Sequence, residues 1–196
     1  MPWIEPVTLR SPLVDLEPLA RTHLADLVES VKDGELWNMW YTSVPRPENI
    51  GAEIEQRLHL QAQGSMLPFA VLDRANGTAV GMTTFMHIDS ENHRLEIGST
   101  WYRESVQRTS LNTQCKLLLL THAFAALECI AVEFRTHFFN RQSRRAIERL
   151  GAKLDGVLRQ HQRSADGSLR DTCVYSIIAS EWPTVRSNLV YQLNRR

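Results

Sequence analysis

Glu96-Ile97-Gly98-Ser99-Thr100-Trp101-Tyr102-Arg103-Glu104-Ser105-Val106-Gln107-Arg108-Thr109-Ser110-Leu111-Asn112-Thr113 is the stretch that decides the fold. It reads as a strand that runs into a short polar loop and then into a long apolar helix. The first amides of a helix lack intrahelical partners and sit at the positive end of its dipole. A loop that feeds a helix in this way is a ready site for phosphate.

Upstream, Thr8 to Arg10 predicts a first strand, and Asp15 is placed to cap a helix from about Glu17 to Val31. A loop rich in Trp37, Met39, Trp40 and Tyr41 ends at Pro45 and Pro47, and a second helix runs from about Glu48 to Gln63, stopped by Gly64. Phe69 to Asp73 and Thr78 to Ile88 read as strands joined across Asn76-Gly77, a hairpin signal. A strand from Arg94 to Tyr102 follows. Downstream, Asn112 to Leu127 is helical and apolar around much of its girth, which predicts packing on more than one side. Ala131 to Phe138 is a strand, and Asn140 opens a helix that Gly151 closes. Gly156 to Arg163 and Leu169 to Ile178 flank an Asp166-Gly167 turn, and Ser180 is placed to cap a last helix through Leu193.

The order is β-α-α-β-β-β-α-β-α-β-β-α. Strand–helix–strand in the middle implies a parallel pair with a right-handed crossover, inside a sheet that is antiparallel at both ends. Ligands in α/β sheets favour the carboxyl ends of strands where the order switches, and here that is the end of the Arg94–Tyr102 strand. One domain is expected over residues 1–196. Lys and Arg total 22, as do Asp and Glu, so the zero net charge argues against a nucleic-acid binder held by phosphate neutralisation. No apolar run reaches the roughly 20 residues that span a bilayer, and the N-terminus lacks a basic segment followed by an apolar one. A cytoplasmic location is the expectation. Cys115, Cys129 and Cys173 show no metal or disulfide spacing and read as buried small side chains, so no metal is expected.

The element order, together with Gln107-Arg-Thr-Ser-Leu-Asn112 and Asn140-Arg-Gln-Ser143-Arg-Arg-Ala-Ile-Glu-Arg-Leu-Gly151, resembles the GNAT superfamily of acetyl-CoA-dependent N-acetyltransferases. Within it the chain is similar to the RimJ/RimL-like branch, whose named members acetylate N-terminal amines of ribosomal proteins. The likeness covers nearly the whole chain. It implies an α/β (α+β) GNAT fold: a splayed, mixed, mostly antiparallel seven-stranded sheet with a central parallel pair, flanked by helices. It implies acetyl-CoA as cosubstrate, with pantetheine paired to the backbone of Thr100, Trp101 and Tyr102 and the diphosphate on the amides of Gln107, Arg108, Thr109, Ser110, Leu111, Asn112 and Thr113. Asn140 is then a hydrogen-bond partner of pantetheine. Arg108 and Arg144 are phosphate partners. The family loop carries glycines where this chain has Ser110 and Asn112. Non-glycine residues restrict positive φ; Asn112 is expected to tolerate it and to cap the helix.

The implied reaction is direct attack of an amine on the thioester, and it sets three tasks. A base must take a proton from the ammonium. Period-two alternation puts Glu96 on the face of Gly98, Thr100 and Tyr102, which makes it the candidate; the structural alternative is an ion pair. His87, His137 and His161 are the other bases to consider. Backbone near Ser99 to Trp101 is the candidate oxyanion donor. Ser143, three residues after Asn140, matches the family position for the acid that protonates the thiolate. Arg170 and Asp171 read as substrate contacts or as members of cross-strand pairs. The aromatic loop reads as the cover of the acceptor site or as a core anchor. The acceptor is a primary amine, of a protein or peptide N-terminus or of a small molecule. Two rivals stand beside this reading. One is a non-catalytic CoA-binding module. The other is an interaction protein that uses the last helix as a partner or homodimer surface.

Overall fold

The computed structural model describes residues 3–164 and 166–195. Its strands are β1 (Leu9–Arg10), β2 (Val14–Pro18), β3 (Met66–Asp73), β4 (Thr78–Asp89), β5 (Arg94–Tyr102), β6 (Ala131–His137), β7 (Lys153–Arg163) and β8 (Leu169–Ile178). Its helices are α1 (Leu24–Lys32), α2 (Ile50–Ala62), α3 (Leu111–Thr121), α4 (Arg141–Leu150) and α5 (Trp182–Asn194). The strands form one sheet in the order β1-β2-β3-β4-β5-β6-β8-β7. β5 and β6 are parallel and every other neighbour is antiparallel. The mixed sheet expected from the element order is present, with the parallel pair at its centre.

The sheet has eight strands, not seven. Asp15 caps no helix: it lies in β2, ion-paired to Arg10 at 2.9 Å. Val14 and Leu16 alternate inward on either side of it, both fully buried. Pro18 holds the residue before it extended, so the helix cannot begin at Glu17 and starts at Leu24 instead.

The helices cover both faces. One core gathers Leu95, Ile97 and Tyr102 of β5 with Leu111, Cys115 and Leu119 of α3 and Val185 and Leu189 of α5. The other gathers Leu27 and Val31 of α1, Ile50 and Ile54 of α2, Met82 of β4 and Trp101 of β5. α3 packs against α5 on one side and β1 and β2 on another, which accounts for its broad apolar surface. It is α-helical to Thr121 and widens into a π turn over His122–Ala126. Glu181, not Ser180, holds the cap position of α5, with Pro183 in the first turn. The stripe of Trp182, Val185 and Leu189 closes the core, Trp182 stacking on Phe124 at 5.3 Å. Cys115, Cys129 and Cys173 are free and buried, as expected. Gly151 ends α4 with φ +104°. Ala165, in the predicted turn before Asp166, lies outside the described residues.

Candidate active site

β5 and β6 share three register pairs, the last being Glu96↔Glu133. β5 then continues to Tyr102 against β4, while β6 continues to His137 against β8. The two strands separate, and among the described residues the β6-facing edge of β5 from Ile97 onward has no strand partner. A cleft of about 1160 Å³ opens there, walled by the loop after α1, α2, the start of α3, and α4. The bend has a local cause. Ser99 has φ +46°, and the β4–β5 register shifts beside it, so the strand bulges.

The bulge also corrects the alternation argument. Ile97 and Tyr102 face the α3 core, and Trp101 faces α1 and α2. One extra residue at Ser99 puts Thr100 and Tyr102 on the face opposite Glu96 and Gly98. Arg57 of α2, 5% exposed, braces the bulge. Its Nη1 and Nη2 each donate to Ser99 O at 3.3 Å, Nη1 donates to Thr84 Oγ1 at 2.8 Å, and Nε pairs with Glu53 at 2.6 Å.

Glu96 lines the cleft, 4% exposed. Its Oε2 lies 2.8 Å from His87 Nδ1 and 3.5 Å from Arg135 Nε. Arg135 in turn reaches Glu133 at 2.9 Å, and Arg94 reaches Glu133 at 2.7 Å. Burial pushes the Glu133 carboxyl up, but hydrogen bonds from Arg94 and Arg135 bring it below the ordinary value. Gly98 leaves room for Glu96 itself: a Cβ there would meet Glu96 Oε1 at 2.7 Å and Met86 Sδ at 2.8 Å.

In the Gln107–Thr113 loop, positive φ falls on Arg108 (+60°), so neither Ser110 nor Asn112 is asked to replace a glycine's freedom. Ser110 occupies the cap position of α3, and Asn112 lies within the first turn and caps nothing. The loop is tied down from inside. Gln107 Nε2 donates to Tyr102 O at 3.0 Å, Thr109 Oγ1 donates to Val106 O at 2.7 Å, and Leu111 N donates to Thr109 Oγ1 at 3.2 Å. Arg108, Thr109 and Asn112 line the cleft, while Leu111 and Thr113 bury their side chains.

Asn140 caps α4 through its side chain, Oδ1 accepting from Ser143 N at 2.9 Å. This leaves its NH₂ to donate elsewhere. Asn140 and Ser143 both line the cleft. Gln142 joins the two walls by donating to Gln107 Oε1 at 3.2 Å. Arg144 does not line the cleft: its Nε donates to Tyr175 OH at 3.0 Å and its guanidinium lies over the Phe138 ring, while Arg145 and Arg149 do line it.

At the other end of the cleft, Met39 and Tyr41 line the wall, and Trp40 packs edge-on against His137 at 5.0 Å. Trp37 instead anchors the loop to the α1–α2 core. His137 Nδ1 accepts from Phe139 N at 3.1 Å, so in the neutral ring Nε2 carries the proton. That N–H is buried and has no partner among the described residues. Burial first, and Arg170 second, lower the His137 pKa. His137 therefore offers a donor rather than a base. His161 Nδ1 lies 3.2 Å from Thr172 Oγ1, to which Arg170 also donates, and Asp171 forms a cross-strand ion pair with Arg159 at 2.9 Å. Arg57, Gln142, Arg145 and Lys116 escaped the sequence reading. Lys116 alone left a signal, a single charge inside Cys115-Lys-Leu-Leu-Leu-Leu120.

A splayed parallel pair, a polar loop at a helix start and a capped Asn-x-x-Ser helix across the gap line one cleft. Residues 14–153 match the family described as acetyltransferase (GNAT) domain, and the chain belongs to that family, whose members are acetyl-CoA-dependent N-acetyltransferases. Among solved structures it is similar to a provisionally named acetyltransferase from T. thermophilus (32% identity, TM-score 0.84, 97% of this chain and 99% of that one). It is also similar to a GCN5-related N-acetyltransferase from Brucella melitensis (28%, TM-score 0.86, 97% and 86%). Mycobacterium smegmatis RimJ, solved with CoA-disulfide, shares the fold at 21% identity and TM-score 0.78 over 95% of this chain and 93% of that one. A curated Bacillus subtilis (strain 168) relative, YdaF, provisionally named a ribosomal N-acetyltransferase, is 29% identical over 107 residues, 55% of this chain and 57% of that relative. The chain thus spans little more than half the length of the curated relative it matches. Among the described residues no helix is long and apolar enough to cross a membrane, and no group of His, Cys, Asp and Glu could hold a metal.

Proposed function

We propose that this chain transfers the acetyl group of acetyl-CoA to a primary amine, at a protein or peptide N-terminus or on a small molecule. The observation that carries the reading is the separation of β5 from β6 after Glu96↔Glu133. It leaves the β6-facing edge of β5 beyond Glu96 without a strand partner at the cleft, and an extended amide chain can pair with such an edge as an added strand. The residues fit that cosubstrate. Asn140 NH₂ can donate to a pantetheine carbonyl, and Arg108, Arg145 and the first-turn amides of α3 surround the place for a diphosphate. Acetyl-CoA supplies an activated acyl group with a good leaving thiol.

The chain's residues then divide the remaining work. Glu96, directly or through water, receives the acceptor's proton, and its contacts with His87 and Arg135 fix its position in the cleft. Arg57 fixes the Ser99 carbonyl, and the trans peptide sends the Thr100 N–H the opposite way, as a candidate oxyanion donor. Ser143 is a candidate proton donor on α4. Met39, Tyr41 and the His137 Nε2–H line the end where an acceptor would enter; the donor suits a carbonyl next to the amine, as in a peptide N-terminus.

The ion pairing of Glu96 gives a second reading some support, a CoA-binding module without a competent base. Calorimetric titration with acetyl-CoA, with Ser110→Trp as control, followed by thiol release with N-terminal peptides and small amines, separates the two. Saturable binding lost in the control together with amine-dependent thiol release supports the enzyme. Binding with no release for any amine supports the module, and no binding at millimolar acetyl-CoA overturns both.

A further inference from the structure

Lys116 sits on α3, 6% exposed, and lines the cleft. Its Nζ donates to Thr100 Oγ1 at 3.1 Å, and that oxygen lies 2.8 Å from Thr83 Oγ1. Among the described residues no carboxylate forms an ion pair with it. A buried ammonium normally has such a partner, because a full charge that loses its water is strongly disfavoured. One hydrogen bond to a hydroxyl leaves two N–H donors and a full charge at the edge of the cleft.

The groups packed directly on Lys116 are neutral, and the charged groups of the cleft have other partners or are cations. On its own helix the Cys115 thiol is pushed up to about 12 by burial, and on β5 burial raises the Tyr102 phenol well above its ordinary value. α5, β1 and β2, packed on the rest of α3, bring Leu9, Val14, Leu16, Val185 and Leu189. From β5 the carboxylate of Glu96 is held by His87 and Arg135, and from α2 the Arg57 guanidinium is held by Glu53. Arg145 and Arg149 of α4 also face the cleft. The Lys116 charge thus lacks a protein counter-charge where the strand edge is free.

We propose that Lys116 is the group that receives the negative charge on the CoA sulfur. The inference rests on the acetyl-CoA reading above. If the diphosphate lies at Arg108 to Thr113, the pantetheine arm runs back along β5 from Tyr102, and its sulfur end comes nearest Ser99 and Thr100. In the transfer, the acceptor nitrogen bonds to the acetyl carbon, the C–S pair goes to sulfur, and the nitrogen's surplus proton goes to the base. Lys116 keeps its three protons and stabilises the thiolate by charge and hydrogen bonding. Burial lowers its own pKa to about 8, so it remains mostly protonated at neutral pH and loses its charge in the range where a thiol ionises.

The test is the ionisation of CoA itself, read from the ultraviolet absorbance of its thiolate across pH, free and bound to the whole protein. In wild type the bound thiol is expected to ionise about one pH unit below the free thiol, a tenfold gain in thiolate at a given pH. Lys116→Met should abolish that shift while binding desulfo-CoA as wild type does, and Lys116→Arg should keep most of it. A bound thiol that titrates as the free one in wild type, or equally in wild type and Lys116→Met, overturns the proposal and leaves the transferase reading intact. Should Lys116→Met fail to fold, the wild-type titration alone decides. CoA that does not bind wild type at all overturns the parent reading and this one with it.

Discussion

The Arg57 guanidinium holds the Ser99 carbonyl with two N–H donors at 3.3 Å, across the contact between α2 and the centre of the sheet. A helix far from β5 in sequence thereby fixes the strand bulge on which the cleft depends. Ser99 carries positive φ without being glycine, a conformation that costs of order 1–3 kcal/mol and persists only where surroundings enforce it. Arg57→Met removes the brace and leaves Glu53 unpaired. Thermal unfolding should show a loss of about 3 kcal/mol. Thiol-release kinetics should show a fall in kcat with little change in KM for acetyl-CoA. A variant with full kcat would rule out the bracing role.

Gly98→Ala places a methyl group 2.7 Å from Glu96 Oε1 and 2.8 Å from Met86 Sδ, both ends of side chains that can yield. The expected cost is about 1–3 kcal/mol of stability with a larger loss of activity, since Glu96 must move. Gly81→Ala meets the Trp101 carbonyl oxygen at 2.1 Å, which is backbone and cannot yield. Chemical denaturation of both should find Gly81→Ala the more damaged fold and Gly98→Ala the more damaged turnover relative to its stability.

Acid should weaken the fold in a defined window. Burial depresses the pKa values of His137 and His122 below the ordinary histidine value of 6.5. The unfolded chain therefore takes up protons near pH 6.5, before the native state does. Stability is complete above that pH and falls as pH drops through the native pKa values. His137→Asn should flatten part of the slope of unfolding free energy between about pH 7 and 5, leaving the His122 part. An unchanged slope would show that His137 titrates normally.

Arg145 and Arg149 face the cleft and Arg144 does not. Arg145→Gln with Arg149→Gln should weaken CoA binding about tenfold, roughly 1.4 kcal/mol, and reduce its salt dependence, while pantetheine lacking the nucleotide binds as before. Arg144→Gln should keep CoA affinity and lower the melting temperature through loss of its contacts with Tyr175 and Phe138. Calorimetry at two salt concentrations compares all three arginines.

The parts of this protein that depend on neighbours in sequence were legible there. β5 and β8 begin and end where alternation and turn residues place them, and Asn140 and Gly151 bracket α4 through local hydrogen bonding and local φ. The first helix was misplaced because β2 is held by pairing with β3, a contact more than fifty residues away along the chain. The side of β5 that each residue faces was misjudged after Gly98, because a bulge is one residue of backbone geometry and leaves no mark on polarity.

By itself the sequence determined the order of elements from the second helix onward, the parallel pair and the loop-to-helix junction, since these follow from periodicity, capping and turn chemistry within short windows. Tertiary structure alone decided that β5 and β6 part after three pairs and that Arg57 reaches Ser99. It also decided that Arg145 rather than Arg144 faces the cleft and that a lysine in an apolar helix ends beside Thr100. The reason is physical: burial and side-chain direction are set by what packs opposite, and that is fixed only when distant segments meet.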